Sequence, residues 1–99
     1  MTEHAAVIDV SRYYPAPGKH DELLAAMKKI ADMAASSDGC FGAQACVSDQ
    51  DGDALIAISR WDSESSLDHF AQSPEFVAQR EGLTSLLSKP AHREHLRPR

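Results

Sequence analysis

The spacing of apolar and polar residues changes along the chain, and each change marks a predicted element. Residues 5–14 are rich in β-branched and aromatic side chains and end at a Pro-Ala-Pro-Gly breaker, so they are predicted to form a strand. From Lys19 onward the period becomes helical, with acidic residues in the first turn and Gly39 as a left-handed stop. The apolar stripe of this predicted helix consists of Leu23, Met27, Ile30 and Ala34.

A hairpin is predicted next, from two strand-like runs at 40–48 and 54–61. The acidic stretch between them contains Asp51-Gly52, and an Asp-Gly pair between such runs is a strong hairpin signal. The stretch also resembles part of a calcium loop, but Arg60 occupies the position where such a loop needs a bidentate Glu. We therefore expect a solvated hairpin tip and no metal.

The last third of the chain predicts a short helix, a longer helix and a final strand. The short helix follows the hairpin and carries Phe70 on its apolar side. The pair Ser73-Pro74 is typical of a new helix start, and this second helix is expected to run to about Leu87. A short polar strand at 90–96 completes the order βαββαβ, which is an α+β arrangement.

Both faces of the predicted sheet carry apolar residues. In the strand 54–61, Leu55, Ala57 and Trp61 point to one face, whereas Ile56 and Ile58 point to the other. Two helices can cover only one face of a four-stranded sheet, so the second apolar face needs another cover. A second copy of the chain is the simplest cover, and a homodimer is expected.

The composition is that of a single folded domain spanning residues 1–99. Hydrophobic residues make up 42% of the chain and charged residues 25%, which is too apolar for a disordered protein. No apolar run approaches the ~18 residues that cross a bilayer, and the first residues lack a secretory pattern, so we expect a cytoplasmic protein without membrane contact. Cys40 and Cys46 are expected on one face of a strand, too far apart to form a disulfide, as suits a reducing compartment.

Charge is distributed unevenly along the chain. The net charge is −5, from 10 Lys and Arg against 15 Asp and Glu, although the end of the chain is basic. An acidic body repels phosphate backbones, so nucleic acid is not an expected partner. The basic segment 91–99 is interpreted as a solvated tail beyond a core of about 5–90. His92 and His95 within it would point to opposite faces of a strand, so they are not expected to share a metal.

Four short motifs occur in a characteristic order over about residues 5–90. They are Pro17-Gly18 after the first strand, Gly39-Cys40-Phe41-Gly42 before the second, Trp61-Asp62-Ser63-Glu64 at the end of the third, and Ser73-Pro74-Glu75-Phe76. Together they resemble the antibiotic biosynthesis monooxygenase family, whose members are ferredoxin-like α+β chains paired as dimeric α+β barrels. The resemblance implies a ferredoxin-like fold here, with a four-stranded antiparallel sheet and helices on one of its faces.

The resemblance also implies a function. The expected activity is that of a cofactor-independent monooxygenase, an oxidoreductase that acts with dioxygen on a small aromatic, phenol-like or quinol-like substrate. Such a substrate donates the electron itself once deprotonated, so the protein needs only to bind it, desolvate it and hold its anion. No metal or flavin is then required. The alternative is a non-catalytic ligand-binding or sensing dimer that uses the same pocket.

The pocket positions of the quinone-forming relatives are retained in part. Their signature Trp and helix Arg correspond to Trp61 and Arg80, whereas their Asn and Tyr positions read Ala57 and Leu67. The retained pair favours an enzyme, and the two lost positions favour a binding protein.

Haem-degrading relatives carry a different set of residues. Their Asn, Trp and His positions read Ser11, Phe70 and Gln79 in this chain, so haem degradation is not expected. Ser11 and Phe70 stay as candidate substrate-binding residues because they occupy pocket positions of the family.

Arg80 falls inside the apolar sector of its predicted helix. A cation there needs a partner, either Asp9 in the middle of the first strand or an anionic substrate. We expect Trp61 and Arg80 to line one pocket between the sheet and the second helix as the catalytic pair. Trp61 would stack on an aromatic ligand and Arg80 would hold its anion.

Asp9 and His69 complete the candidate substrate-binding residues. His69 is a candidate general base because an unperturbed histidine titrates near pH ~6.5. The simpler interpretation is a polar residue on the outer side of the short helix, beside the buried Phe70.

Overall fold

The computed structural model describes residues 4–99 and contains a four-stranded antiparallel sheet with helices on one face. Its strand order is β2-β3-β1-β4, and the expected ferredoxin-like α+β fold is confirmed. The elements are β1 (Val7–Tyr13), α1 (His20–Ala35), β2 (Cys40–Val47), β3 (Leu55–Trp61), α2 (Glu64–Ala71), α3 (Pro74–Leu83), a 3₁₀ turn (Thr84–Leu86) and β4 (His92–Leu96).

The two later helices begin at serine caps. The Ser63 hydroxyl accepts a hydrogen bond from the Ser66 amide at the start of α2. The Ser73 hydroxyl accepts one from the Phe76 amide at the start of α3. However, α3 ends at Leu83 and not near Leu87. The chain tightens into the 3₁₀ turn because it must leave the helix to bond beside the end of β1, where the Ala16 amide donates to the Leu86 carbonyl (2.8 Å).

The start of β2 departs from simple alternation. A bulge places Cys40 opposite Trp61 but Gly42 opposite Arg60. Cys40 therefore lies on the helix-covered face, while Cys46, paired with Ile56, lies on the other face. The expectation that the two thiols share a face is wrong because the bulge adds one residue between them. Both cysteines are free.

Gly39 shapes the entry to β2 and does not itself stop α1, which already ends at Ala35 with Ser36 as its cap. Its φ of +86° lies in the left-handed region that favours glycine. A Cβ at this position would collide with the side chains of Ser66 and Asp62. The turn between α1 and β2 thus requires a glycine here.

The open face of the sheet has no covering helix in the described part of the chain. Ile8, Val10, Ile56 and Ile58 alternate with the buried residues of β1 and β3 and are each half-buried. Leu96 of β4 pairs with Ile8 and is 41% exposed. The expectation of apolar side chains on both faces is confirmed.

The basic end of the chain is exposed but is not a free tail. Residues 92–96 form β4, which pairs with β1 and completes the sheet, although every residue of β4 is exposed. Arg93 is bound to Asp9, and Arg97 Nη2 lies 2.7 Å from Glu64 Oε1. These arginines are engaged because the strand pairing returns the end of the chain to β1 and the start of α2.

Candidate functional site

The size of the side chains on the helix-covered face changes from row to row across the sheet. Large residues form the outer rows, Val7–Trp61–Cys40 at one end and Tyr13–Leu55–Val47 at the other. Smaller side chains form the two rows between them, Asp9–Ser59–Ala43 and Ser11–Ala57–Ala45. Helices packed on the outer rows cannot fill the space above the middle rows, so a cavity is left there.

This cavity has a volume of about 630 Å³ and lies between the sheet, α1 and α3. It separates two core clusters, one around Trp61 and Phe76 and the other around Leu55 and Leu83. The size is within the range of small-molecule sites, which is roughly 300–1,000 Å³. Its apolar wall includes Ile30, Ala34, Phe70, Phe76, Leu83 and Leu87.

A hydrogen-bonded cluster of charges lies at the β1–β4 side of the cavity. The Arg93 guanidinium donates to both carboxylate oxygens of Asp9, from Nε at 2.9 Å and from Nη2 at 3.1 Å. His95 Nε2 lies 3.1 Å from Asp9 Oδ1. The carboxylate is only 14% exposed. An Asp9–Arg80 pair was one expectation, and it is wrong because β4 brings Arg93 to this carboxylate.

The Arg93 charge is held firmly by its surroundings. Burial alone lowers the pKa of Arg93, but the hydrogen bonds and charge of Asp9 outweigh it and leave the pKa above its usual value. The guanidinium therefore stays charged and remains bound to Asp9. Both oxygens of the Asp9 carboxylate are therefore already engaged by Arg93.

Tyr13 also lines the cavity and was not identified from the sequence. Burial raises the pKa of the Tyr13 phenol above its usual value, while Ser11 and the positive charges of Arg93 and Arg80 act in the opposite direction. The phenol is thus a neutral hydrogen-bond donor at physiological pH. One sequence signal could have found it, because Tyr13 shares the covered face of β1 with Ser11 and Asp9.

Comparison with known proteins identifies the family. The family model described as antibiotic biosynthesis monooxygenase matches residues 6–82. The chain belongs to this family. A comparison with curated proteins gave no match.

Solved structures similar to this chain share its fold over nearly the whole length. Rv0793 from Mycobacterium tuberculosis is 26% identical, with 93% of each chain covered and a TM-score of 0.85. A conserved protein from Methanosarcina mazei is 21% identical, with 96% of this chain and 94% of that chain covered and a TM-score of 0.88. A mutant of SnoaB, a cofactor-independent oxygenase from Streptomyces nogalater, is 16% identical, with 94% and 92% covered and a TM-score of 0.82.

The residue at the family's signature tryptophan position, Trp61, does not line the cavity. Trp61 is fully buried, and its indole N–H donates to Ser59 Oγ at 2.8 Å. Its ring packs on Phe70 with 5.4 Å between centroids, and Phe70 in turn packs on Phe76 at 4.8 Å. Direct stacking of Trp61 on a ligand is therefore wrong, because Phe70 lies between the indole and the cavity.

Arg80 lies at the rim of the cavity and is exposed. Its guanidinium carbon is 5.7 Å from the centroid of the Phe76 ring, one helical turn earlier in α3. The apolar sector that contains Arg80 on the helical wheel is thus the side of α3 that borders the cavity, and the charge reaches solvent over an aromatic ring.

The remaining candidate residues divide between the cavity and the surface. Ser11 is 5% exposed and lines the cavity, as does Phe70. His69 is exposed near the end of α2 and borders a separate shallow depression with Ser66 and Glu75. The structure therefore brings Ser11, Phe70, Asp9 and Arg80 together, and leaves His69 outside, because successive helical residues point in different directions.

Two features are absent from residues 4–99. Within them no helix is long and apolar enough to cross a membrane. The same residues contain no group of three or more His, Cys, Asp or Glu side chains placed to hold a metal ion.

Proposed function

We propose that the protein is a cofactor-independent monooxygenase that oxidises a small phenol-like or quinol-like aromatic with dioxygen. The observation that carries the proposal is the cavity between the sheet and the helices. Its wall is apolar and includes the rings of Phe70 and Phe76, while Tyr13 and Arg80 supply a hydrogen-bond donor and a positive charge. The family assignment and the fold shared with a cofactor-independent oxygenase support it.

The proposed reaction is balanced without a cofactor. A ring CH₂ flanked by hydroxylated aromatic rings loses a proton, and the resulting carbanion passes an electron to dioxygen. A C–O bond then forms, the O–O bond breaks, and the CH₂ group becomes C=O while the second oxygen atom leaves as water. The substrate supplies all the electrons, so the protein contributes binding, desolvation and stabilisation of the anion.

The cavity residues divide these tasks. Tyr13 is protonated at neutral pH and donates a hydrogen bond to the oxygen on which negative charge develops. Arg80 adds a positive charge at the rim, and Phe70 presents a flat apolar surface to the substrate rings. Trp61 acts as a positioning residue because it packs behind Phe70.

A non-catalytic ligand-binding protein is the second candidate, and two observations favour it. The Asp9 carboxylate already contacts Arg93 and His95, so it is engaged within the protein and not with a ligand. In addition, Leu67, which occupies the tyrosine position of the quinone-forming relatives, is buried in the core at 1% exposure and contributes no polar group to the cavity. A protein with this cavity can bind an aromatic anion without oxidising it.

The proposal includes a homodimer. The open face carries four apolar side chains, Ile8, Val10, Ile56 and Ile58, although Arg60 lies opposite Ile8 and Arg12 opposite Ile56. A second copy packed on this face would remove the apolar side chains from water. An obligate interface of this kind buries on the order of 2,000 Å² or more. Sedimentation at micromolar concentration is expected to give a dimer, and a stable folded monomer of about half that mass would contradict this part of the proposal.

Oxygen consumption tests the proposed activity directly. The purified protein is mixed with a panel of quinols and anthrones, and dissolved oxygen and quinone absorbance are followed together. For the anthrones we expect one oxygen molecule consumed for each anthraquinone formed, and little activity in Ala57→Leu, which fills the cavity. Ala25→Leu adds the same side chain on the exposed side of α1 and serves as the control. Saturable binding without oxygen uptake would favour the ligand-binding candidate, and the absence of both would contradict the proposal.

A further inference from the structure

The wall of the cavity is anchored unevenly. On the helix side it includes buried residues of the core, among them Phe76 and Leu83 of α3. Residues 88–91, between the 3₁₀ turn and β4, also line the cavity, but all four are exposed. Among residues 4–99, no backbone hydrogen bond outside the strands involves residues 89–91. These three residues are therefore a weakly anchored part of the wall.

The chain is fixed on both sides of these three residues. The Ser88 amide donates to the Tyr14 carbonyl at 2.9 Å, and the Ser88 hydroxyl donates to the same oxygen at 3.2 Å. On the other side, His92 begins β4 and pairs with Arg12 of β1. Residues 89–91 therefore connect two fixed points, and they can move away from the cavity without a change in the sheet or the helices.

Lys89 holds this segment against the end of β1 through an aromatic ring. Its Nζ lies 4.1 Å from the centroid of the Tyr14 ring, and among residues 4–99 the ion pairs involve other side chains. Tyr14 is itself held, because its phenol donates to Asp51 Oδ2 at 3.3 Å and the Asp51 amide donates to Ser48 Oγ at 2.9 Å. A cation on an exposed ring shifts an equilibrium by a factor of only about two to five, so this contact breaks and re-forms readily.

We propose that residues 89–91 form a lid over the cavity, and that the contact between Lys89 and Tyr14 is the latch that holds the lid closed. A site that buries most of its ligand has to open before the ligand can enter. Opening of the lid is expected to admit small molecules to buried residues of the cavity such as Ser11, which is 5% exposed. The inference rests on the proposed function for the ligand that the lid admits, whereas the opening itself requires no ligand.

Thiol labelling tests the lid without a ligand. Ser11→Cys places a thiol inside the cavity of the full-length chain, which also carries Cys40→Ser and Cys46→Ser. Its rate of reaction with N-ethylmaleimide reports the open population, and this neutral reagent is not attracted by the lysine charge. We expect Lys89→Ala to raise the rate about twofold to fivefold. Lys89→Arg, which keeps a cation for the ring, and Lys28→Ala, on the exposed surface of α1, should leave the rate unchanged.

Tyr14→Leu removes the other half of the latch. It should raise the labelling rate, and Lys89→Ala should have no further effect in that background, because both changes remove the same contact. Ala57→Cys provides a second thiol position in the cavity and should give the same ratios. A labelling rate that Lys89→Ala leaves unchanged at both positions, or effects of the two changes that multiply, would overturn the lid.

Binding of dithranol under nitrogen separates the lid from the proposed function. We expect Lys89→Ala to raise the association and dissociation rates by the same factor and to leave Kd unchanged, because the latch closes over an empty and a filled cavity alike. A changed Kd at an unchanged association rate would mean that Lys89 contacts the ligand itself, and it would overturn the latch. Failure of wild type to bind dithranol would contradict the proposed function, while the labelling rates would still support or overturn the lid.

Discussion

The two faces of the sheet are formed by the same strands but differ in the size and packing of their side chains. On the covered face, large residues stand only at the ends, and Ser11, Ala57 and Ser59 leave a space between them. On the open face, β-branched residues such as Val10 and Ile58 lie side by side without a gap. Neighbouring residues of one strand thus contribute one side chain to the cavity and the next to a face that no helix covers in residues 4–99.

On the covered face, the residues of the filled core and the residues that line the cavity belong to different rows. Trp61 and Val7 form a filled outer row and are fully buried. One row further on, Asp9 faces the cavity and carries a charge held by Arg93. A charged group is tolerated there because the missing volume admits its hydrogen-bond partner. The same volume is available to a ligand.

The largest expected effect comes from removing the filled row. Trp61→Ala should lower the free energy of unfolding by about 3–5 kcal/mol, because a fully buried indole is lost and Phe70 loses its support. Ser59→Ala keeps the indole and removes only the acceptor of its N–H, so it should cost about 1 kcal/mol. Urea denaturation measures both. Equal losses in the two variants would mean that Trp61 contributes little packing.

A single charge on the open face should disrupt the proposed dimer. Ile58→Asp should dissociate the proposed dimer at micromolar concentration, because a carboxylate cannot be buried unpaired in an apolar interface. Sedimentation velocity measures the mass, and circular dichroism checks that the sheet persists. Ser65→Asp adds the same charge on the exposed surface of α2 and should leave the mass unchanged. A dimer that survives Ile58→Asp would show that this face is not the interface.

The charge cluster of the cavity should contribute more than a surface ion pair. Asp9→Asn removes the negative charge and one of the two oxygens that accept hydrogen bonds from Arg93, and it is expected to cost about 1–2 kcal/mol in unfolding free energy, since the Asp9 side chain is 14% exposed. Glu64→Gln breaks the exposed pair with Arg97 and should cost no more than about 0.5 kcal/mol. If the two variants lose the same unfolding free energy, the partial burial of Asp9 has no energetic consequence.

The smallest effect concerns Tyr13 at high pH. Because burial raises the pKa of the Tyr13 phenol, the folded protein holds this proton more tightly than the unfolded chain. The corresponding stability is fully present below pH ~10 and is lost as the pH rises above it. Wild type should therefore lose stability more steeply than Tyr13→Phe as the pH rises above ~10. Parallel stability curves for the two proteins would contradict the pKa shift.

Much of the fold could be predicted because its signals are local. The Ser73-Pro74 start of α3 and the alternation around Ile58 are each contained in a few neighbouring residues. The bulge at Cys40 and the early end of α3 could not be predicted in this way. Both depend on contacts with strands that are distant in the sequence. A bulge also interrupts the alternation of apolar and polar residues, which is the only sequence signal that could indicate it.

The candidate site could be predicted only in part. Ser11, Phe70 and Arg80 reach the cavity as expected, whereas the partner of Asp9 is Arg93, which becomes its neighbour only through the β1–β4 register. Trp61 illustrates another limit. An aromatic residue on the covered face gives the same sequence pattern whether its ring lines a cavity or packs behind the cavity wall. For Trp61, only its packing against Phe70 distinguishes these two arrangements.

The most direct test of the central claim is the emission of the single tryptophan. Trp61 lies behind the cavity wall, so an anthrone bound against Phe70 should quench it in a saturable manner. The account predicts that Ala57→Leu and Ala43→Leu lower the affinity for dithranol at least about tenfold while melting no earlier than wild type, and that Ala25→Leu changes neither. Unchanged affinity in both cavity-filling variants would show that the row of small side chains is not the ligand site.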